Sequence, residues 1–498
     1  MSTLAVIGSG FSGLSAACYL AVSGHEVHVF EKNESAGGRA RQFKTEEGFL
    51  FDMGPSWYWM PDVYEKFFSD FGYKVSDFYA LEKLQPAFDM VYGKGDIEHI
   101  PQHFDELCNW FESIEPGSAQ QLKKFMEEAE YKYKTGMEKL VYQPGISMFE
   151  FADWDVIKGV FRLQLFSSFS KHIRKYFKDE RLLSLMEFPV LFLGAMPDET
   201  PALYSLMNYA GLKLGTFYPQ GGFGKVVDAF VQLAQTLGVK FHFNAAIEKI
   251  NTVNSKAVSV TVNKKVFNVD GVIAAADYHH VETKLLEPHQ RNYKEKYWES
   301  RTLAPSCIVF YLGINKKIKS INHHALFFDT SLEQHSKEIY KTPQYPSQPL
   351  FYMCCPSKTD ATVAPDGCEN IFLLIPIAPG LNDTTDVREK YFNIILNRIE
   401  NIIGEPIREN IIYKKSYCIN DYISDYNSYK GNAYGLANTL MQTAVLKPKI
   451  KNYKITNLFY AGQLTVPGPG VPPSIISGKI AAGLLQKQLK EIEHEAVV

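Results

Sequence analysis

Leu4-Ala5-Val6-Ile7-Gly8-Ser9-Gly10-Phe11-Ser12-Gly13 begins the decisive stretch, and Val27-His28-Val29-Phe30-Glu31 closes it after a helical run. The order is apolar strand, G-x-G-x-x-G turn, helix, second strand and acidic end. This is a βαβ dinucleotide-binding unit. Gly8 permits the tight turn, Gly10 lets the backbone approach a pyrophosphate, and Gly13 lets the helix pack close to the strand. Ser9 and Ser12 complete the turn and count with the glycines as cofactor contacts. The helix N-terminus presents free N–H groups and a positive dipole end to the phosphates. Glu31 lies at roughly the separation of about 20 residues from which a carboxylate accepts a ribose 2′-OH. The glycine pattern alone would suit a structural turn, but strands, helix and acid agree on dinucleotide binding.

Lys32 and the following residues lead into Gly37-Gly38-Arg39-Ala40. An acidic 2′-OH acceptor disfavours a 2′-phosphate, because two negative charges would meet. The second glycine pair with its arginine resembles the E-x(n)-GGR extension of two-dinucleotide-binding-domain flavoproteins, and that resemblance implies FAD rather than NAD. Gly38 and Arg39 join the cofactor contacts, since a guanidinium fork matches phosphate bidentately. Phe51-Asp52-Met53-Gly54-Pro55-Ser56-Trp57 then ends a short strand in a glycine–proline turn, which adds Gly54 and Pro55.

At 498 residues the chain buries large cores and holds two or three substructures. The 52 basic side chains nearly balance 55 acidic ones, so nothing in the global charge favours nucleic acid. Seven cysteines show no C-x-x-C and no metal spacing, which fits reduced thiols, and Cys354-Cys355 read as buried small hydrophobes. No metal is expected. No signal peptide is expected ahead of the strand at Leu4, and no apolar run approaches the 18 residues of a spanning helix. An aromatic share of 14% suits a long apolar ligand, although large cores are aromatic too.

Along the chain, Pro61 to about Leu84 reads as helical and Asp89 to Pro101 as strands about a glycine turn. Residues 103 to about 185 are mostly helix-like. Gly221-Gly222-Phe223-Gly224 opens a helix to Leu237. Val239–Phe243 is a strand, residues 247–272 alternate as a hairpin, and Val272–Asp277 is a short buried strand and turn. Strand-like runs fill 303–377, a helix spans about Val387–Ile403, Asn457–Gln463 is a strand, and Ser474 to about Glu493 is a closing helix. The dinucleotide fold is therefore discontinuous.

Three further stretches carry a family resemblance. Tyr218-Pro219-Gln220-Gly221-Gly222-Phe223-Gly224 resembles the y-P-x-G-G turn of carotenoid desaturases of the bacterial phytoene desaturase type. The run Asn457 to Pro472, with Tyr460-Ala461-Gly462 and Gly468-Pro469-Gly470-Val471-Pro472, is similar to their C-terminal signature. Tyr429–Leu436, with Gln442 and Pro448, resembles another shared stretch. The resemblance covers essentially the whole chain. It implies an α/β fold: a Rossmann-like FAD-binding domain of the flavin amine oxidase and phytoene desaturase type over 1–85, 218–290 and 450–498. A mixed-sheet substrate domain takes 86–102 and 291–449, and a mostly helical, membrane-facing cap takes 103–217. It also places Ile247 beside the adenine and Gly462, Val471 and Pro472 beside the flavin. Two departures stand out: Val466 replaces a frequent histidine, and Lys447 stands where arginine often precedes the proline.

The implied reaction introduces a C=C bond into a C40 polyene, with hydride leaving an allylic carbon for flavin N5 and a proton leaving its neighbour. A cation beside a polyene is a strong acid, so no powerful base is needed, and no catalytic residue is assigned. The substrate is phytoene or a later intermediate such as a 1-hydroxycarotenoid, desaturated at the 3,4 position. The electron acceptor, oxygen or quinone, stays open. The alternatives are carotenoid cis–trans isomerase, amine or porphyrinogen oxidase, and a non-enzymatic lipid-binding relative. Asp153 and Asp155 flank Trp154 without a catalytic assignment. His279-His280 and His323-His324 read as surface or loop histidines. Carotenes partition into bilayers, so the protein is expected in the cytoplasm, peripheral on the inner face of the cell membrane. Val156–Phe177 offers a basic amphipathic helix for docking, or else an ordinary helix packed on the substrate domain.

Overall fold

The computed structural model describes residues 1–147, 164, 167–439 and 441–497. Asp153, Trp154, Asp155 and most of the first half of the expected amphipathic helix lie outside the described residues.

The opening stretch forms the centre of a parallel sheet. Among the described residues its strands run in the order Leu458–Tyr460, Gly271–Ala274, Thr3–Ile7, Glu26–Phe30, Lys240–His242. Leu4, Ala5 and Val6 are fully buried, as expected of a strand covered on both faces. The strands come from the start, middle and end of the chain. Their carboxyl ends gather Gly8, Glu31, Ala275 and Ala461 at one edge, where ligands of open α/β sheets bind. Helices Phe11–Val22 and Val471–Val497 cross one another very closely. A Cβ on Gly13 would lie 2.0 Å from the Gly8 carbonyl oxygen, and one on Gly478 would lie 2.2 Å from that of Ser12. The closing helix starts at Val471, three residues before the expected Ser474. Pro472 and Pro473 are accommodated in its first turn, where backbone N–H groups lack partners anyway.

A second, mixed sheet runs Ile411–Tyr417, Ser306–Ile314, Glu369–Ile377, Phe351–Cys354, His324–Phe327, Phe88–Gly93, Asp96–Ile100. Alternation assigns its two faces. Ile308, Phe310 and Leu312 join Ile371, Leu373 and Ile375 beneath helix Thr385–Ile403. Cys307, Val309, Tyr311 and Phe372 face the first sheet's side of the molecule. There the Tyr311 hydroxyl donates to the Met53 carbonyl oxygen at 2.8 Å.

Two expectations are corrected. The helix from Pro61 ends at Ser69, and the chain passes through a 3-10 turn, Val75–Asp77, into strand Leu81–Lys83. Gly72, at φ +83°, reverses the backbone there. The expected hairpin is a three-stranded meander, Ile247–Val253, Lys256–Val262 and Lys265–Asn268. Asn254-Ser255 and Asn263-Lys264 both take positive φ, as two-residue hairpin turns require.

Residues 103–217 contribute helices Phe104–Ile114, Ser118–Thr135 and Glu180–Glu187. In the described part of the basic stretch, Phe169, Ile173 and Phe177 are buried in the core. Arg174 pairs with Glu187. The described half of the expected helix is helical only over Phe169–Ile173, and its apolar residues are packed in the core rather than exposed. Among the described residues no helix is long and apolar enough to cross a membrane.

Candidate cofactor site

A cavity of about 440 Å³ opens at the carboxyl edge of the parallel sheet. Gly8, Gly10, Ser12, Glu31, Lys32, Gly38, Arg39, Gly54, Pro55, Ile247, Gly462 and Val471 all line it. Ser9, Gly13 and Pro472 stand behind the wall. Gly13 is a packing residue, Ser9 is fully buried, and Pro472 belongs to the helix start. At Gly8, φ is +96° and the N–H donates to the Phe30 carbonyl oxygen at 2.8 Å, which closes the turn. A Cβ on Gly10 would meet nothing nearer than the Gly38 Cα at 4.0 Å. The space above Gly10 is therefore left to a ligand.

Glu31 is nearly buried and fully engaged. One carboxylate oxygen accepts from the Ser9 N–H at 2.9 Å and its hydroxyl at 2.8 Å; the other accepts from the Asn33 N–H at 2.9 Å and its side-chain amide at 3.0 Å. A carboxylate offers about four acceptor positions, so all are filled. The two backbone donors fix its orientation. The Ser9 hydroxyl and the Asn33 amide are the donors that sugar hydroxyls can replace.

Arg39 shows the opposite condition. Its Nη2 donates to the Ser428 hydroxyl at 3.2 Å and the Asn432 carbonyl at 3.3 Å, and the guanidinium lies 5.0 Å from the Tyr426 ring centre. Its Nε is buried without a partner. A held cation with an unspent N–H on a cavity wall suits an anionic oxygen.

Several wall residues escaped the sequence reading. Asp277 sits where strand Gly271–Ala274 ends, accepts from the His280 N–H at 3.1 Å and the Tyr429 N–H at 3.2 Å, and burial pushes its carboxyl up. An acid just past a parallel strand was the available signal. Asp425, Tyr426 and Asn427 also line the cavity, delivered by helix Ile419–Tyr426. Arg41 pairs with Asp425, and the Asn33 amide donates to the Asp425 carbonyl at 3.2 Å. Nothing in the local sequence marks that docking. Cys307, Phe372, Leu374 and Tyr434 make the wall beneath the mixed sheet. The cavity thus joins a polar, glycine-lined end to an end rich in apolar and aromatic side chains.

The Tyr218–Gly224 turn does not line this cavity. It works behind it. Asp52 accepts from the Phe223 N–H at 2.8 Å and the Gly224 N–H at 3.1 Å, and so caps helix Phe223–Thr236. A Cβ on Gly222 would lie 2.5 Å from that carboxylate. Burial raises the Asp52 carboxyl to about 6 against these hydrogen bonds.

The histidine pairs are not surface groups. His279 is half-buried and meets Glu295 at 2.9 Å, while His280 lines the cavity and burial lowers it to about 4. His323 and His324 are 4% and 0% exposed, because the mixed sheet places them against Cys354 and the Tyr352 ring. Cys354 and Cys355 are buried, as expected.

The pattern of the flavin containing amine oxidoreductases matches residues 11–485. A carotenoid 3,4-desaturase of Haloarcula japonica is 40% identical over 96% of this chain and 97% of its own. The chain belongs to the carotenoid desaturases of that family. A 4,4'-diapophytoene desaturase of Staphylococcus haemolyticus is 30% identical over 99% of both chains. An oxidoreductase of Methanosarcina mazei shares the fold, with a TM-score of 0.62 over 96% of this chain and 99% of its own at 17% identity. A carotenoid desaturase of this family is an oxidoreductase, and its cofactor is a flavin. The orphaned Arg39 Nε, the open space above Gly10 and the apolar far wall fit such a group.

Proposed function

We propose that the flavin is FAD and that this desaturase introduces a 3,4 double bond into a C40 carotenoid carrying a 1-hydroxyl end. The observation that carries the substrate is the 40% identity, across nearly the full length of both chains, to a carotenoid 3,4-desaturase. FAD is supported by a lining that joins the dinucleotide-type turn, Glu31 and Arg39 to Val471 and Tyr434 in one cavity. Bound flavin supplies a hydride acceptor at N5. The protein's own share is positional. Gly8, Gly10 and the start of helix Phe11–Val22 would hold the pyrophosphate, Glu31 would hold the ribose, and Arg39 would offer its free N–H to a phosphate oxygen. The Gly468–Val471 turn and the apolar wall orient the allylic carbon and keep water away. No side chain is asked to act as a strong base, because the carbon next to a polyene cation gives up its proton readily.

The polyene is collected from a bilayer, with the protein peripheral on the inner face of the cell membrane. The extreme apolarity of a C40 chain supports this.

Expression in cells loaded in turn with phytoene, lycopene and a 1-hydroxycarotenoid tests the proposal. The 1-hydroxycarotenoid is expected to lose two hydrogens and shift its absorption to longer wavelength, with the other two little changed. Conversion of phytoene alone would overturn the substrate. A geometrical isomer of unchanged mass would overturn the reaction.

A further inference from the structure

Behind the shared wall residues Gly54 and Phe372 of the cofactor cavity, the mixed sheet closes over three side chains whose chemistry the desaturation reaction does not use. His324 opens one strand and Cys354 ends its antiparallel neighbour, and the two are direct register partners. Partners in register project to the same face. His323 precedes the strand and is fixed by its carbonyl, which accepts from the Cys355 N–H at 2.7 Å. One nitrogen of each ring and the Cys354 sulfur all lie within 4.8 Å of one another.

The rings are held as metal-ligating imidazoles are held. His323 Nδ1 meets the Thr359 hydroxyl at 2.7 Å. His324 Nδ1 meets the Tyr352 hydroxyl at 2.6 Å, and that hydroxyl in turn meets the Ser56 hydroxyl at 2.9 Å. The Trp57 indole stacks on His324 at 4.2 Å. Each ring is therefore fixed through Nδ1, and both Nε2 atoms are buried without a hydrogen-bond partner. Leaving one buried polar atom unpaired costs about 1–3 kcal/mol, and here the two adjacent histidines each leave one. Outer partners on one imidazole nitrogen with the other left free are what a ligating histidine shows. A separate cavity of about 20 Å³ adjoins His323 and Cys354 and is also lined by Asp52 and Asn370. It is large enough for about one water.

We propose that His323, His324 and Cys354 bind a zinc ion, with a water in the small cavity as the fourth ligand. Two imidazoles and a thiolate are suitable zinc donors, and three protein ligands plus water complete a tetrahedron. Binding forms the Zn–S bond as the thiol proton leaves to solvent, with no change of oxidation state. The ion ties the start of one strand to the end of the next, beside the Asp52 that caps helix Phe223–Thr236. The cysteine spacing gave no sign of this, because the ligands meet across a sheet and not within a motif.

The test uses the full-length, flavin-loaded protein stripped with a chelator and reloaded. Zinc uptake is followed by competition with a chromophoric chelator, and Co²⁺ serves as the spectroscopic probe. Wild type is expected to take up about one equivalent of zinc and to show a near-ultraviolet thiolate-to-cobalt band. Cys354→Ser should abolish the band. Thr359→Val, which removes only the outer partner of His323, should weaken zinc by about 10- to 100-fold. Should Cys354→Ser fail to fold, the wild-type and Thr359→Val readings decide alone. Wild-type protein without the cobalt band, or with zinc affinity unchanged in Thr359→Val, would overturn the proposal.

Discussion

Glu31 and Gly470 carry the sharpest consequences at the level of single residues. Glu31→Ala leaves the Ser9 and Asn33 donors facing each other across a hole and removes the acceptor for a buried sugar hydroxyl. A lost hydrogen bond of this kind costs about 1–3 kcal/mol, so flavin affinity should fall on the order of tenfold to a hundredfold. The ratio of flavin absorbance to protein absorbance in purified samples reads this directly, and full occupancy at micromolar FAD would refute the role. Gly470 has φ +112° and lines the cavity. Gly470→Val sets a Cβ 3.2 Å from the Pro473 ring and strains a turn on the cavity wall, so desaturation should be lost while the circular dichroism stays native. Unchanged turnover would place the turn away from the chemistry. The wall residues legible in sequence are the glycines where backbone has to come close and the charged residues, Glu31 and Arg39, at set distances after them. Asp277 and Asn427 were not legible, since their positions depend on a strand end and a helix docked from far along the chain.

Among elements, helix Phe223–Thr236 depends on an acid 171 residues away in sequence, the Asp52 that caps it. Gly222→Ala forces a Cβ toward that carboxylate at a position with φ +82° and should destabilise the fold by about 1–3 kcal/mol. Thermal unfolding of the flavin-loaded protein measures it, and an unchanged midpoint would show that the cap is dispensable. The loop before Pro448 makes a prediction about pH. The Lys447 amine is buried without a hydrogen-bond partner, and burial lowers it to about 7 from 10.5. Between those values the unfolded chain holds a proton that the folded chain does not, so stability rises with pH, by up to about 1.4 kcal/mol per unit. It is fully present above about 10.5 and lost as pH falls through about 7. Lys447→Met should flatten this slope and raise stability at pH 7, as denaturant titrations at several pH values would show; an unaltered slope would contradict the burial argument. An element with strong periodicity such as helix Thr385–Ile403 was readable to within two residues of its expected start at Val387. The stretch after Ser69 was not, because a single glycine turned an apparent helix into a strand.

At the scale of the molecule, the cavity is assembled from the first 55 residues, residues 245–247 and 275–285, the mixed-sheet residues Cys307, Phe372 and Leu374, and residues 422–474. Sequence patterns revealed that discontinuity, because each piece kept its own motif. They did not reveal what the mixed sheet brings together, such as the His323–His324–Cys354 cluster, since cross-strand neighbours leave no local signature. Membrane docking belongs to this scale too. The buried Phe169, Ile173 and Phe177 leave only charge to act from the described half of the basic stretch. Flotation with anionic liposomes is expected, and it should weaken when Lys171, Arg174 and Lys175 become Glu; no flotation with any lipid would reject the peripheral location. The central claim is that a polyene gives hydride to the flavin in this cavity. Anaerobic mixing of the flavin-loaded protein with a 1-hydroxycarotenoid tests it most directly. Loss of the oxidised-flavin spectrum in step with formation of a product two hydrogens lighter is the predicted result. An oxidised flavin spectrum that stays unchanged while the carotenoid is consumed or isomerised would contradict it.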